Sequence, residues 1–260
     1  MTRGAPAPSR PRGLGGEQVE GRQAVRELLL GGRRRVRDVW IADDVDGAPI
    51  IGDIVELATE QRVSVKRVSR SHLEGAARSE APQGVLAHAA PLPEAELDTL
   101  CRRGRHGRPP FLLALDGITD PQNVGALLRT AEGAGVSGVL LPRHRAAHIT
   151  PTVAKAAAGA IEHLDIALVS GLPAALARAK ELGVWVVGLD AGGDSSLFDL
   201  TVATEPVVLV LGAEGSGLAR LTRARCDVVA GIPLAGSLSS LNVSAAGALA
   251  CFEVARRRLG

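Results

Sequence analysis

Three stretches of this chain place amide, hydroxyl, carboxylate and guanidinium groups where an apolar run ends and a helix-forming run begins. The last is Ile232-Pro233-Leu234-Ala235-Gly236-Ser237-Leu238-Ser239-Ser240-Leu241-Asn242-Val243-Ser244-Ala245-Ala246-Gly247. Its apolar lead-in, Val228 to Ile232, reads as a buried strand, and the Gly/Ser loop then feeds the last helix. The first four N–H groups of a helix lack intrahelical partners, so such a loop presents backbone donors beside hydroxyls and binds a polar ligand well. Leu112 to Arg129 has the same plan, with Asp120 suited to the cap and Pro121 to the first helical position. Asn123 then lies in the first turn and Arg129 mid-helix. Arg129 sits among Val124, Ala126, Leu127, Leu128, Ala131 and Ala134, so it must snorkel to solvent or find a partner. The third stretch, Val207 to Leu218, carries Glu214 in a Gly-rich loop directly after an apolar strand. A carboxylate held there could accept a hydrogen bond from Asn123 or Arg129. Ser240 and Asn242 could be plain helix caps, their commonest job, or site residues that also cap.

In this order and spacing the three segments resemble the signature motifs of the SpoU (TrmH) family. That family comprises S-adenosylmethionine-dependent RNA 2′-O-ribose methyltransferases with a knotted α/β fold. The resemblance covers residues 111–260 and includes an N-x-G-x-x-x-R match from Asn123 to Arg129. It implies a trefoil knot at the C-terminal end, S-adenosyl-L-methionine as cofactor and a homodimer through the knotted domain. It casts Asn123, Arg129, Glu214, Ser240 and Asn242 as catalytic, and Gly212, Ile232 and Leu241 as cofactor-binding. Arg129 is the principal catalytic residue by resemblance. An arginine is effectively always protonated, so fixing the target phosphate and stabilising the developing alkoxide suits it better than acting as a base. The third motif departs slightly from the family wording: Leu234 stands where Met is common, and Ala245-Ala246 follow Ser244 without the usual Val. For the dimer, the expected helix Leu241–Leu259 offers Val243, Ala246, Ala250, Phe252 and Val254.

The elements that must position these residues follow from periodicity. From Phe111 onward the pattern is β-α-β: strands Phe111–Leu115, Gly138–Leu141, Asp165–Val169, Val184–Leu189, Val207–Leu211 and Val228–Ile232, and helices Gln122–Ala134, Pro151–Ile161, Leu172–Leu182, Leu218–Arg225 and Leu241–Leu259. Short continuous apolar runs suit parallel strands covered on both faces, in an open α/β sheet with its ligand at the strand C-termini. Before it, residues 17–90 alternate as a smaller α/β unit: helices Gly21–Leu30, Pro49–Gln61 and Ser71–Ala77, strands Val36–Ala42, Val63–Val68 and Gly84–His88. This unit resembles the L30e-like substrate-binding domain of several SpoU members, including Gln83-Gly84-Val85 before its last strand. Residues 91–110 read as a linker with room for a short helix, and Met1–Gly16 as a disordered tail.

Composition bounds the partners. A chain of 260 residues with 46% hydrophobic and 22% charged residues is soluble and globular, and no apolar run approaches the ~18 residues of a membrane span. Met1–Gly16 has no apolar core, so it is no secretory signal, and a cytoplasmic location follows. Cys101, Cys226 and Cys251 are odd in number and far apart, which argues against disulfides and a zinc site. Net charge is only +2, but Arg33, Arg34, Arg35 and Arg37 cluster, as do Arg102, Arg103, Arg105 and Arg108 with His106; both groups suit either phosphates or solvent. With 2% aromatics, RNA would be held by arginine, backbone and shape rather than by stacking. Gly133 to Gly138 matches G-x-G-x-x-G but ends a helix, so it reads as a cap and turn. His144, His148 and His163 lack ligand-like pairing and read as surface or capping residues.

The resemblance implies methyl transfer to a ribose 2′-OH, and the L30e-like unit favours rRNA, with a guanosine of the large-subunit RNA as target. A tRNA enzyme, an antibiotic-resistance enzyme acting on rRNA adenosine, and a non-catalytic RNA-binding assembly factor are the alternatives. No metal or membrane partner is expected.

Overall fold

The computed structural model describes residues 13–45, 47–104, 107–143, 149–237 and 239–260. Expectations resting on residues 1–12, Arg105, His106, His144, His148 and Leu238 lie outside the described residues.

The first unit runs β1 (Gln18–Glu20), α1 (Arg22–Gly31), β2 (Val36–Ala42), α2 (Pro49–Glu60), β3 (Ser64–Val68), α3 (Arg70–Ala76) and β4 (Val85–Ala89). Its sheet has the order β1-β4-β2-β3, with β2 and β3 parallel and β4 antiparallel to both its neighbours. Val39, Ile41, Val85 and Ala87 pack with Val25, Leu28, Ile51 and Ile54 of α1 and α2 in one core. Strand β1 gave no sequence signal because it is three residues long and ends in a charged residue. Glu20 is nevertheless fully buried, because its carboxylate accepts hydrogen bonds from Gln18 Nε2 (2.8 Å), Arg78 N (2.7 Å) and Ser79 N (3.0 Å).

The second unit comprises α4 (Leu97–Arg102), β5 (Phe111–Asp116), α5 (Pro121–Gly133), β6 (Gly138–Pro142), α6 (Pro151–Ala156), β7 (Ile166–Val169), α7 (Leu172–Glu181), β8 (Trp185–Leu189), β9 (Ser195–Ser196), β10 (Val207–Gly212), α8 (Arg220–Arg223), β11 (Val228–Gly231) and α9 (Val243–Leu259). Its seven strands are all parallel, in the order β7-β6-β5-β10-β8-β11-β9. Alternate residues of β5 and β10 point to opposite faces, so Leu113 and Leu209 meet α5 and α9 while Leu112 and Val208 meet α4 and α7. That double coverage is why these strands read as continuous apolar runs.

Several expected boundaries move. The helix expected over 151–161 stops at Ala156, because Ala158 takes a φ of +50° and a 3-10 turn, Ala160–His163, follows. The helix expected over 218–225 shrinks to four residues, with Leu218 turned into the core and Ala219 N held by Asp116 Oδ2 at 2.8 Å. Leu14, expected in a free tail, is 1% exposed, and Gly15 bridges to Ile149, so Gly13–Gly16 belong to the fold. The segment 91–110 is likewise not bare linker: Leu92, Leu100 and Cys101 are buried, and Glu94 pairs with the start of β7. Gly135, at φ +75°, makes the turn out of α5 that the glycine pattern there suggested.

Candidate active site

The three segments singled out in the sequence converge at the C-terminal edge of the second sheet. Asp120 caps α5 by accepting from Asn123 N at 2.8 Å, with Pro121 opening the helix. This fixes Asn123 in the first turn, facing the loop after β10. Asn123 Nδ2 donates to Glu214 Oε1 at 3.3 Å, and Asn123 Oδ1 accepts from Asn242 Nδ2 at 3.1 Å. Asn242 Nδ2 also donates to Glu214 Oε1 at 2.5 Å, and Val243 N reaches the same oxygen at 3.4 Å. Asn242 is at the same time the cap of α9, its Oδ1 accepting from Ser244 N at 2.9 Å, Ser244 Oγ at 2.5 Å and Ala245 N at 3.4 Å. Both ends of its amide are therefore engaged, which settles its orientation and leaves it to position Glu214 and Asn123.

The other two residues expected in the catalytic set stand apart. Arg129 is exposed on α5, two turns on from Asn123, and makes no hydrogen bond or ion pair among the described residues. Glu214 therefore takes its hydrogen bond from Asn123 and not from Arg129. Arg129 reaches solvent instead of a partner among the described residues, and its guanidinium is available to an external anion. Ser240 is also exposed and caps nothing, because α9 begins at Val243 rather than Leu241 and the cap falls to Asn242.

Beside the triangle lies a cleft of about 770 Å³. It is bounded by the segments that follow β8, β10 and β11, the carboxyl-end location usual for ligands of parallel sheets. Gly212, Ile232 and Leu241 all line it, together with Glu214, Ser240 and Asn242. Glycine at 212 is required by the loop itself. A Cβ there would lie 2.2 Å from Gly217 C and 2.4 Å from Leu218 N, so the loop's own return excludes a side chain. Sequence reading missed Leu189, Asp190 and Ala191, which form one wall. The available signal was their place at and just after the C-terminal end of a parallel strand. Asp190 Oδ1 accepts from Gly192 N at 3.0 Å and pairs with Arg223 at 3.1 Å, bracing that wall.

The arginine cluster near residue 35 is largely committed within the protein. Arg34 is buried against Glu162, and Arg33 Nη1 donates to Leu164 O at 2.8 Å. Arg37 Nη2 donates to Ala89 O at 2.9 Å, which leaves Arg35 exposed. His163 meets Glu27 at 2.9 Å. Burial pushes the thiols of Cys101 and Cys226 up to about 11 and that of Cys251 to about 12, so they are poor nucleophiles at neutral pH. Among the described residues no three His, Cys, Asp or Glu gather as a metal site, and no helix is long and apolar enough to cross a membrane.

On α9 the face turned inward carries Val243, Ala250 and Val254, which are buried within the subunit and so are not available to a partner. The outward apolar side chains are Leu249 and Phe252, 43% and 52% exposed.

Comparison with known proteins gives consistent matches. Residues 110–252 match the SpoU rRNA Methylase family, and residues 18–95 match the family described as RNA 2'-O ribose methyltransferase substrate binding. The chain is 41% identical to the 23S rRNA (guanosine-2'-O-)-methyltransferase RlmB of Pseudomonas aeruginosa, over 93% of this chain and 97% of that one. With the protein of the same description from Pseudomonas syringae pv. tomato it is 39% identical, over 93% and 96%. Among solved structures it resembles the SpoU methyltransferase AviRb of Streptomyces viridochromogenes in complex with the cofactor AdoMet. That likeness has a TM-score of 0.78 and 26% identity, covering 93% of this chain and 90% of that one.

Proposed function

This chain belongs to the SpoU rRNA methylase family, and from that premise we propose how its residues perform the family's reaction. The protein is an S-adenosylmethionine-dependent RNA 2′-O-ribose methyltransferase acting on a guanosine of 23S rRNA. The observation that carries the site assignment is the Asn123–Glu214–Asn242 triangle at the edge of the cleft.

The cleft fits the cofactor. Its volume lies within the usual ~300–1,000 Å³ of small-molecule sites, and Leu189, Leu211, Ile232 and Leu241 offer apolar walls between stretches of loop backbone. S-adenosylmethionine, when bound, supplies an electrophilic methyl carbon on a sulfonium sulfur. Transfer then needs the 2′-oxygen in line with that carbon and help in losing its proton. Arg129, exposed and permanently charged, fixes the neighbouring phosphate and stabilises the developing alkoxide. Glu214 holds Asn123 and Asn242, which fixes the start of α5 relative to the start of α9. Ser240, which lines the cleft, is assigned to contact the ribose.

Residues 17–90 act as the RNA-binding unit and residues 111–260 as the methyltransferase unit. A trefoil knot at the C-terminal end is supported by the strand order. Strand β9 lies beyond β11, so the segment joining β8 to β9 must cross β11. A Cβ on Gly193 in that segment would lie 2.5 Å from Ala230 C, a crossing tight enough to require glycine. Homodimerisation is supported by the exposed Leu249 and Phe252 on α9, with the Phe252 ring beside Gly133 of α5. An rRNA substrate supports a cytoplasmic location for the enzyme.

Mapping 2′-O-methyl marks on 23S rRNA with and without the protein tests this reading, alongside calorimetry with S-adenosylmethionine. One guanosine should gain the mark and the cofactor should bind. Unchanged marks, or no heat of binding, would overturn it.

A further inference from the structure

The two units have separate cores, yet they are fastened together by groups that are costly to bury. The Arg34 guanidinium and the Glu162 carboxylate are 2% and 1% exposed at the seam. They meet as a two-pronged pair, Nε to Oε2 at 3.0 Å and Nη2 to Oε1 at 2.6 Å. Arg34 Nη1 also donates to Gly16 O at 2.6 Å and Ala90 O at 2.7 Å. Those carbonyls stand where the chain enters β1 and leaves β4, so one side chain ties both ends of the first unit to the second. Around it, Arg33 pairs with Asp165, Glu27 meets His163, and Lys155 Nζ donates to Ala81 O at 2.8 Å. Ala81 and Ala158, one on each side of the seam, have φ of +51° and +50°, a region unfavourable for alanine.

A buried ion pair is often no more stabilising than apolar residues of the same size, but a planar fork on a carboxylate fixes an angle. The turn that carries Glu162 packs, with α6, against α5. Helix α5 in turn carries Asn123 and Arg129. The seam therefore bears on the back of the helix that presents the proposed site.

We infer that Arg34 and Glu162 are positioning residues for methyl transfer. Their pairing locks the RNA-binding unit at one angle to the cleft, so RNA held by the first unit delivers its 2′-OH to a fixed place beside Asn123 and Arg129. This rests on the function proposed above. A tethered substrate reacts at an effective concentration set by the geometry of the tether, and a loosened seam lowers it without altering either binding surface. Only an RNA long enough to touch both units gains from the lock.

The test uses the full chain with Arg34→Glu, Glu162→Arg and the exchanged pair. Arg34→Lys, which keeps the charge but not the fork, serves if the reversal fails to fold. Small-angle X-ray scattering reads the seam, and calorimetry reads affinity for S-adenosylmethionine and for a structured 23S rRNA fragment. Arg34→Glu should raise the radius of gyration and lower kcat on the fragment at least tenfold, with both affinities within twofold of wild type. Arg34→Lys should fall between, and the exchanged pair should regain part of the loss. A short hairpin reaching only the cleft should be methylated at the wild-type rate by every variant. An opened seam with unchanged kcat, or an equal loss on the short hairpin, would overturn the inference. A wild-type protein that methylates neither RNA would instead overturn the function itself, while the scattering result would still report on the seam.

Discussion

Asn242 caps α9 and also holds Glu214 and Asn123, and Asn242→Asp separates the two tasks. Aspartate caps a helix about as well as asparagine, and its charge is favoured at a helix start by ~0.3–1 kcal/mol. It cannot replace the Nδ2 donor, so three oxygen acceptors would face one another where Asn242 Nδ2 now sits 2.5 Å from Glu214 Oε1 and 3.1 Å from Asn123 Oδ1. The lost hydrogen bond to a charged group is worth about 1.5 kcal/mol at this exposed position. Two carboxylates ~4 Å apart repel by about 1 kcal/mol in water. Set against the gain at the helix start, the net loss is about 2 kcal/mol, a fall in Tm of roughly 4–8 °C for a chain of this size. Asn242→Ser keeps a cap without adding charge and should lose about 1.5 kcal/mol. The Asp deficit should shrink as pH falls and the introduced carboxyl takes up a proton, whereas the Ser deficit should not. Thermal melts by circular dichroism between pH 4 and pH 8, with methyl transfer at pH 7.5, measure both. Methyl transfer should drop at least tenfold in each variant. Wild-type stability and turnover for Asn242→Asp would mean that the residue is only a cap and the triangle has no role.

The other predictions address separate parts of the molecule. Arg129→Ala and Arg129→Lys should both abolish methyl transfer and leave cofactor affinity within twofold, since a point charge does not replace a planar fork; turnover in either would place the chemistry elsewhere. Gly212→Val should weaken S-adenosylmethionine binding at least tenfold, because its side chain would overlap the backbone of Gly217; unchanged calorimetry would refute the loop geometry. The Arg256 guanidinium, against the opposing effect of burial and with help from Arg257, holds the Glu253 carboxyl at about 2. That stabilisation is fully present above pH ~4.5, the ordinary range of a glutamate, and is lost as pH falls towards 2. The stability gap between wild type and Glu253→Gln in urea unfolding should therefore narrow from pH 5 to pH 2, and a constant gap would sink the argument. Phe252→Glu, at a 52% exposed position, should yield monomers by analytical ultracentrifugation if α9 forms the dimer face; a persisting dimer would move the interface elsewhere.

Local signals carried a large part of this protein. Asp120-Pro121 marks the start of α5, the loop before Asn242 marks the start of α9, and the apolar runs of β5 and β10 mark a sheet covered on both faces, because caps and periodicity are set by neighbours within a few residues. Family motifs added the cofactor and the reaction. Tertiary structure alone decided which of the marked residues meet. Asn123 and Glu214 are 91 positions apart and Glu214 and Asn242 are 28 apart, and they join only because β10 pairs with β5 and α9 packs on α5. Arg129 and Ser240 carry motif signals as strong and stay outside the triangle, since their backbone positions turn them to solvent. Arg33 and Arg34 suit either phosphates or solvent in the sequence and are structural fasteners in the fold. A run of like charges says nothing about its partners until Glu162, 128 residues away from Arg34, is brought beside it. Strand order, seam and site all depend on contacts between distant segments, whose free energy comes from burial and pairing across the whole chain rather than from any local preference.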